Sequence, residues 1–139
     1  MRRSDTSIKT ERLWLRQIDE TDAEAIVALR SDENVYKYFF NPVALTLDDH
    51  RHWYDEQYIK TDSRIDWIAL DDETGVFIGV YGVKTNYAGS VEVSYITKME
   101  HQGKGYAREA VNAIIDWAHS KWHIESFQVN IHRLNTGSL

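Results

Sequence analysis

The stretch from residue 91 to residue 131 restricts the fold more than any other part of the chain. Val91 to Lys98 is β-rich, residues 102–107 read Gln-Gly-Lys-Gly-Tyr-Ala, and Ala107, Ala110, Val111, Ile114 and Ala118 then recur on one face of an amphipathic helix. Ser126 to Ile131 is β-rich again. Strand, helix and strand in that order form a crossover unit, so the two strands are expected to lie parallel and adjacent through a right-handed connection.

The preceding elements are shorter. Arg12 to Ile18 alternates polar and apolar residues as far as Arg16 and reads as a half-buried first strand. Ala25, Ile26, Leu29 and Arg30 fall at helical spacing behind Asp22 and Glu24, whose carboxylates suit the positive end of a helix dipole, and this helix is expected to end near Ser31. Thr46 is the expected N-cap of a second helix reaching about Lys60, with Asp48 and Asp49 in its first turn. Asp66 to Asp71 and Gly75 to Val83 read as strands joined by a hairpin loop. The aromatic cluster Tyr36, Tyr38, Phe39 and Phe40 fits neither a helix nor a strand pattern and reads as a loop that packs or binds.

A chain of 139 residues with no repeat and no Pro-, Gly- or Ser-rich linker is expected to form one domain, residues 1–139. Its 22 acidic residues against 16 basic ones, a net charge of −6, repel a phosphate backbone and exclude general nucleic-acid binding as an expectation. The absence of cysteine removes disulfides, a thiol nucleophile and thiolate metal sites, which fits a reducing cytoplasm. No apolar run approaches the roughly 18 residues of a membrane span, and Met1 to Thr6 lacks the apolar segment of a leader.

Two glycines between a strand and a helix build a concave set of backbone N–H groups at the positive end of the helix dipole. A side chain at 103 or 105 would hold an anion away from that backbone, while Lys104 and Arg108 add local positive charge. Diphosphate binding is the functional reading, and a plain turn into a helix is the structural one. Glycine count alone leaves both open. The turn is not a P-loop, since Gly-x-x-x-x-Gly-Lys-Ser/Thr is missing, and the Gly-x-Gly-x-x-Gly dinucleotide pattern fails at Arg108.

Glu92-Val93-Ser94-Tyr95-Ile96 followed by Glu100-His101-Gln102-Gly103-Lys104-Gly105-Tyr106-Ala107 resembles the acyl-CoA signature Gln/Arg-x-x-Gly-x-Gly/Ala of the GNAT superfamily of N-acetyltransferases, matching at Gln102, Gly105 and Ala107. The element order from Arg12 to Asn135 is similar as well, and residues 132–138 resemble the family's His-x-x-Asn-x-x-Ser segment. Thr10-Glu11-Arg12-Leu13-Trp14-Leu15-Arg16 resembles the branch that acetylates ribosomal-protein N-termini, amino sugars and polyamines.

That resemblance implies an α+β fold with a mixed, mostly antiparallel sheet, one splayed parallel strand pair and flanking helices. It implies that residues Gly103, Lys104, Gly105, Tyr106, Ala107 and Arg108, with Gln102, hold the diphosphate of acetyl-CoA. The pantetheine arm would pair with the backbone near Ile96 and Thr97, and Asn135 would hold the CoA arm. Unpaired main-chain donors where the strands splay would then stabilise the oxyanion of acyl transfer.

Acyl transfer needs a neutral amine. Deprotonating a lysine-like amine of pKa about 10.4 at pH 7 takes about 4.6 kcal/mol, against about 1 kcal/mol for an α-amine near 7.7. A base therefore matters more for the first acceptor class. Glu92 aligns with the strand glutamate that often serves in the family, directly or through a water, and shares a strand face with Ser94 and Ile96. Its structural reading is a solvated carboxylate. Ser138, or else Tyr106 or Tyr95, is the candidate acid for the departing thiolate. His119 and His123 have metal spacing but no third ligand, and His50 and His52 read as solvated.

Relatives in this family continue past the Asn-x-x-Ser segment with more helix and two further strands. The expectation is accordingly a C-terminally short form, in which an open sheet edge beside residues 126–131 fits pairing with a second copy. The function expected is transfer of acetyl from acetyl-CoA to a primary amine. The alternatives are a non-catalytic acyl-CoA-binding or regulatory module with an incomplete acceptor cleft, and a plain interaction domain.

Overall fold

The computed structural model describes residues 6–31, 46–61, 63–85, 91–122 and 127–130, the last four by backbone alone. Its strands are β1 (Ile8–Lys9), β2 (Leu13–Gln17), β3 (Arg64–Asp71), β4 (Phe77–Thr85), β5 (Val91–Thr97) and β6 (Phe127–Asn130). Its helices are α1 (Ala23–Arg30), α2 (Leu47–Glu56) and α3 (Tyr106–Trp122). The strands form one sheet in chain order from β1 to β6. Neighbours are antiparallel up to β5, and β5 runs parallel to β6. The α+β class, the mixed sheet and the crossover through α3 are as the residues and their resemblance implied.

Alternation along the strands separates the two faces. Leu13, Leu15, Ile65, Trp67, Tyr81, Val83, Val91, Val93 and Tyr95 point to one side and pack against Ala107, Ala110, Val111, Ile114 and Ala118 of α3. All five helix positions anticipated from the 3.6-residue period are buried there. Trp67 is fully buried and donates Nε1–H to the carbonyl of Thr6 at 2.7 Å, which satisfies the indole and ties the N-terminal segment to the core. Along the opposite face run Ile18, Ile68, Val80 and Ile96, covered by Ile26 and Leu29 of α1 and by Tyr58.

Local chemistry explains where the helices begin and end. Thr46 caps α2, its Oγ1 accepting the Asp49 N–H at 3.0 Å. The anticipated run to Lys60 is interrupted: α2 ends at Glu56, and Tyr58–Lys60 is a separate 3-10 turn. The break inserts Tyr58 into the core, where its hydroxyl accepts the Asp66 N–H at 2.9 Å. Ahead of α1, Asp19 accepts the Thr21 N–H at 2.8 Å, Asp22 accepts the Asp19 N–H at 2.8 Å, and Arg16 donates to both Asp22 oxygens at 2.8 and 3.0 Å. β3 begins at Arg64, two residues before the alternation signalled it. No described helix is long and apolar enough to cross a membrane.

Candidate active site

The site gathers at the C-terminal end of β5. Parallel pairing with β6 runs from Val91 opposite Phe127 to Ser94 opposite Asn130, so Tyr95, Ile96 and Thr97 lie beyond the described pairing on that side. On their other side they pair with β4, Ile96 opposite Val80 and Thr97 opposite Gly79. Thr97 is buried and its Oγ1 shares a 2.7 Å hydrogen bond with the hydroxyl of Tyr81, whose deprotonation is strongly disfavoured by burial.

From Thr97 the chain passes through a short 3-10 turn, Met99–His101, into the glycine-rich segment. Gln102 donates Nε2–H to the Thr97 carbonyl at 3.0 Å, so the segment is fastened to the strand it leaves. Gly103 and Gly105 have φ of 77° and 82°, the left-handed region that disfavours a Cβ. Nothing lies within 4 Å of where a Cβ on Gly103 would stand. The first α-helical bond of α3 runs from the Glu109 N–H to the Gly105 carbonyl at 3.1 Å. The N–H groups of Tyr106 and Ala107 therefore precede any intrahelical acceptor, as at every helix start. Lys104 and Arg108 are exposed on this rim, and Ala107 is buried beneath it. Open backbone, left-handed glycines and cations together fit an anionic group.

Glu92 is half-buried on the face of β5 that carries Ser94 and Ile96. Its carboxylate lies 3.7 Å from Nζ of Lys84, its register partner on β4. These two, Arg64, Val83 and Ser94 line a recess of about 60 Å³. Arg64 also borders a larger cavity of about 300 Å³ between the sheet and helices α1 and α2, lined by Ile18, Ile26, Val80, Ile96, Trp53 and the polar groups of Arg30, His50 and Asp66. One guanidinium thus stands between the candidate base and a cavity large enough for a small molecule.

Several of these lining residues were not anticipated. Asp66 is buried, binds Arg64 through Nε at 2.8 Å, and sits over Gly82, where a Cβ would come within 2.3 Å of its Oδ1. The guanidinium of Arg64 lies 4.9 Å from the centre of the Trp53 ring. His50, read from the sequence as solvated, is 4% exposed and its Nε2 has no hydrogen-bond partner among the described residues. Burial first, and the nearby Arg30 second, push its pKa below the usual histidine value, so the ring is neutral at pH 7. His52 is exposed as expected. The alternation Arg64, Asp66, Ile68 was the available signal that β3 turns charged groups to this face.

Asp48 and Asp49 are exposed, while Asp71 accepts the N–H groups of Glu73 and Thr74 at 2.9 Å and so shapes the β3–β4 turn. His119 is exposed, and no metal-binding cluster exists among the described residues. Asn135, Ser138, His123 and the aromatic cluster at 36–40 lie outside the described residues.

The family model for the acetyltransferase (GNAT) domain matches residues 12–139. The uncharacterized N-acetyltransferase p20 of Bacillus licheniformis is 29% identical, over 96% of this chain and 77% of its own length. The spermidine N(1)-acetyltransferase of Vibrio cholerae is 24% identical, over 86% of this chain and 69% of its own. Among solved structures, a GNAT-family acetyltransferase from Bacillus anthracis superposes with a TM-score of 0.73 at 20% identity, covering 89% of this chain and 72% of that one. A spermidine N-acetyltransferase from Vibrio cholerae, in complex with CoA and spermine, gives 0.73 at 24% identity, covering 85% and 70%. At such identities the superpositions establish the fold. With the family model spanning nearly the whole chain, this protein belongs to the GNAT acetyltransferase family and is an acetyl-CoA-dependent acyltransferase.

Proposed function

We propose that the chain transfers acetyl from acetyl-CoA to a primary amine held in the cavity between the sheet and helices α1 and α2. The observation that carries this reading is the glycine turn: two left-handed glycines deliver the start of α3 beside the point where β5 outruns its described pairing with β6. When bound, acetyl-CoA supplies an activated acetyl thioester.

In this reading Gly103, Gly105, Tyr106 and Ala107 offer backbone N–H groups to the diphosphate, with Lys104 and Arg108 adding positive charge from the rim. Gln102 keeps the turn in register with Thr97. The backbone at Ile96 and Thr97 pairs with the pantetheine arm, and an unpaired donor there faces the thioester carbonyl. Glu92 takes the proton from the acceptor ammonium through a water in the recess it shares with Arg64 and Ser94. The apolar wall of Val80 and Ile96 keeps bulk water from the reacting centre. Asn135 and Ser138 are proposed for the CoA arm and for protonating the thiolate, on their resemblance alone.

The acceptor class proposed is a primary amine on a peptide N-terminus, an amino sugar or a small amine. The Vibrio cholerae relative, named for spermidine, supports an amine of this kind. The test is release of free CoA thiol from acetyl-CoA across peptides, amino sugars and polyamines. Release with at least one amine is expected. CoA binding without release for every amine would leave a non-catalytic binding module, and no CoA binding would leave neither.

A further inference from the structure

Thr10 and Arg12 are nearly a hundred positions from α3, yet they meet its first turn. The Glu109 carboxylate accepts the Arg12 backbone N–H at 2.8 Å, the Arg12 Nε–H at 2.6 Å and the Thr10 hydroxyl. Arg12 continues past Glu109: its Nη1 donates to the Lys104 carbonyl at 3.0 Å, and its guanidinium lies 4.3 Å from the centre of the Tyr106 ring. A Cβ on Gly105 would stand 3.4 Å from its Nη2. One side chain thus reaches Lys104 and Tyr106, the residues on either side of Gly105.

Fastening β2 to α3 would need only the carboxylate pair. The bond to Lys104 does something further. A trans peptide is planar and its C=O and N–H point in opposite directions, so drawing the Lys104 carbonyl onto Arg12 turns the Gly105 N–H away from Arg12. Glu109 neutralises the guanidinium, so the pair acts by direction more than by net charge. The hydrogen bond to Glu109 also holds Arg12 protonated, and the bonds from Thr10 and Arg12 outweigh burial to keep Glu109 ionised.

We propose that Arg12, held by Glu109, is a positioning residue for the CoA diphosphate: it sets the Lys104–Gly105 peptide so that the Gly105 N–H faces the bound anion. This rests on the glycine turn being the CoA site. It gives the Thr10-Glu11-Arg12 opening of the chain a role in donor binding.

The test is calorimetric titration of CoA into the wild type, Arg12→Lys and Arg12→Gln, with acetyl transfer from S-acetyl-N-acetylcysteamine, a thioester without the diphosphate, as the second readout. Lysine keeps the charge but carries its donors on one nitrogen, without the planar fork through which Arg12 reaches Glu109 from Nε and the Lys104 carbonyl from Nη1. We expect the CoA dissociation constant to rise about tenfold in both variants at unchanged stoichiometry, the scale of one lost charge-assisted hydrogen bond. Transfer from the short thioester should stay within about twofold of wild type. Wild-type affinity in Arg12→Lys would overturn the proposal. So would equal losses on both donors, or a fall in stoichiometry in both variants, each of which marks a scaffold role. A wild type that shows no affinity for CoA would instead sink the reading of the turn itself.

Discussion

Gln102 donates from its side-chain amide to the carbonyl of Thr97 at 3.0 Å, joining the end of β5 to the turn that opens the long helix. The bond ties the glycine turn, proposed to hold the diphosphate, to the strand end proposed to hold the thioester arm. Gln102→Ala should weaken CoA binding by about fivefold, the scale of about 1 kcal/mol for a single neutral hydrogen bond, while leaving the thermal midpoint nearly unchanged. Calorimetry and a melting curve on the same sample check this. A lowered midpoint with unaltered affinity would make the bond structural only.

Glu92→Gln tests the base. The rate should fall by roughly 10²-fold or more at pH 7, since general-base contributions are of that order. The loss should shrink at pH 9, where a larger share of an amine acceptor is already neutral. Initial rates at the two pH values decide it, and an unchanged rate at both would remove Glu92 from the chemistry.

Much of this arrangement is legible in the sequence. The period in Ala107, Ala110, Val111, Ile114 and Ala118 located the buried face of α3, and Thr46 announced its cap, because both are local patterns. Gly103 and Gly105 were legible for the same reason. What escaped notice depends on pairs far apart in sequence. Arg12 and Glu109 look like two solvated charges until β2 and α3 are packed together. Asp66 looks like a polar strand residue until Gly82 leaves it room. His50, between Asp49 and Arg51 on a charged helix, shows no sign in sequence of the cavity that buries it.

Burial of His50 predicts an acid-sensitive fold. Its pKa is depressed in the folded protein, so below the ordinary value of 6.5 the unfolded chain binds a proton that the folded chain does not. Stability should therefore fall as pH drops through 6.5 toward the folded value and be flat above it. His50→Phe should flatten the slope between pH 6.5 and 5.5. Thermal melts across that window check it, with Asp19, Asp71 and Glu109 separable because their lowered pKa values act at more acid pH. An identical slope in the variant would contradict the assignment.

Gly82→Ala should destabilise the protein by about 1–3 kcal/mol and deform the cavity wall, because the new methyl would stand 2.3 Å from Asp66 Oδ1. Denaturant unfolding measures the first effect and acceptor KM the second. Because Asp66→Ala also leaves Arg64 without its carboxylate, the comparison is a double-mutant cycle: Gly82→Ala should cost less in the Asp66→Ala background than in the wild type, and as much in the Asp66→Asn background, which gives no relief in size. An equal cost of Gly82→Ala in the wild-type and Asp66→Ala backgrounds would mean that Asp66 is not what the methyl meets.

The most direct measurement is a calorimetric titration of CoA into the wild type and Gly105→Val. The account predicts one site per chain in the wild type. The variant should bind at least tenfold more weakly, since Val disfavours a φ of 82° and its Cβ would stand 3.4 Å from Nη2 of Arg12, so the turn and its backbone donors must shift. Equal affinity in the two proteins, or no heat of binding in the wild type, would contradict it.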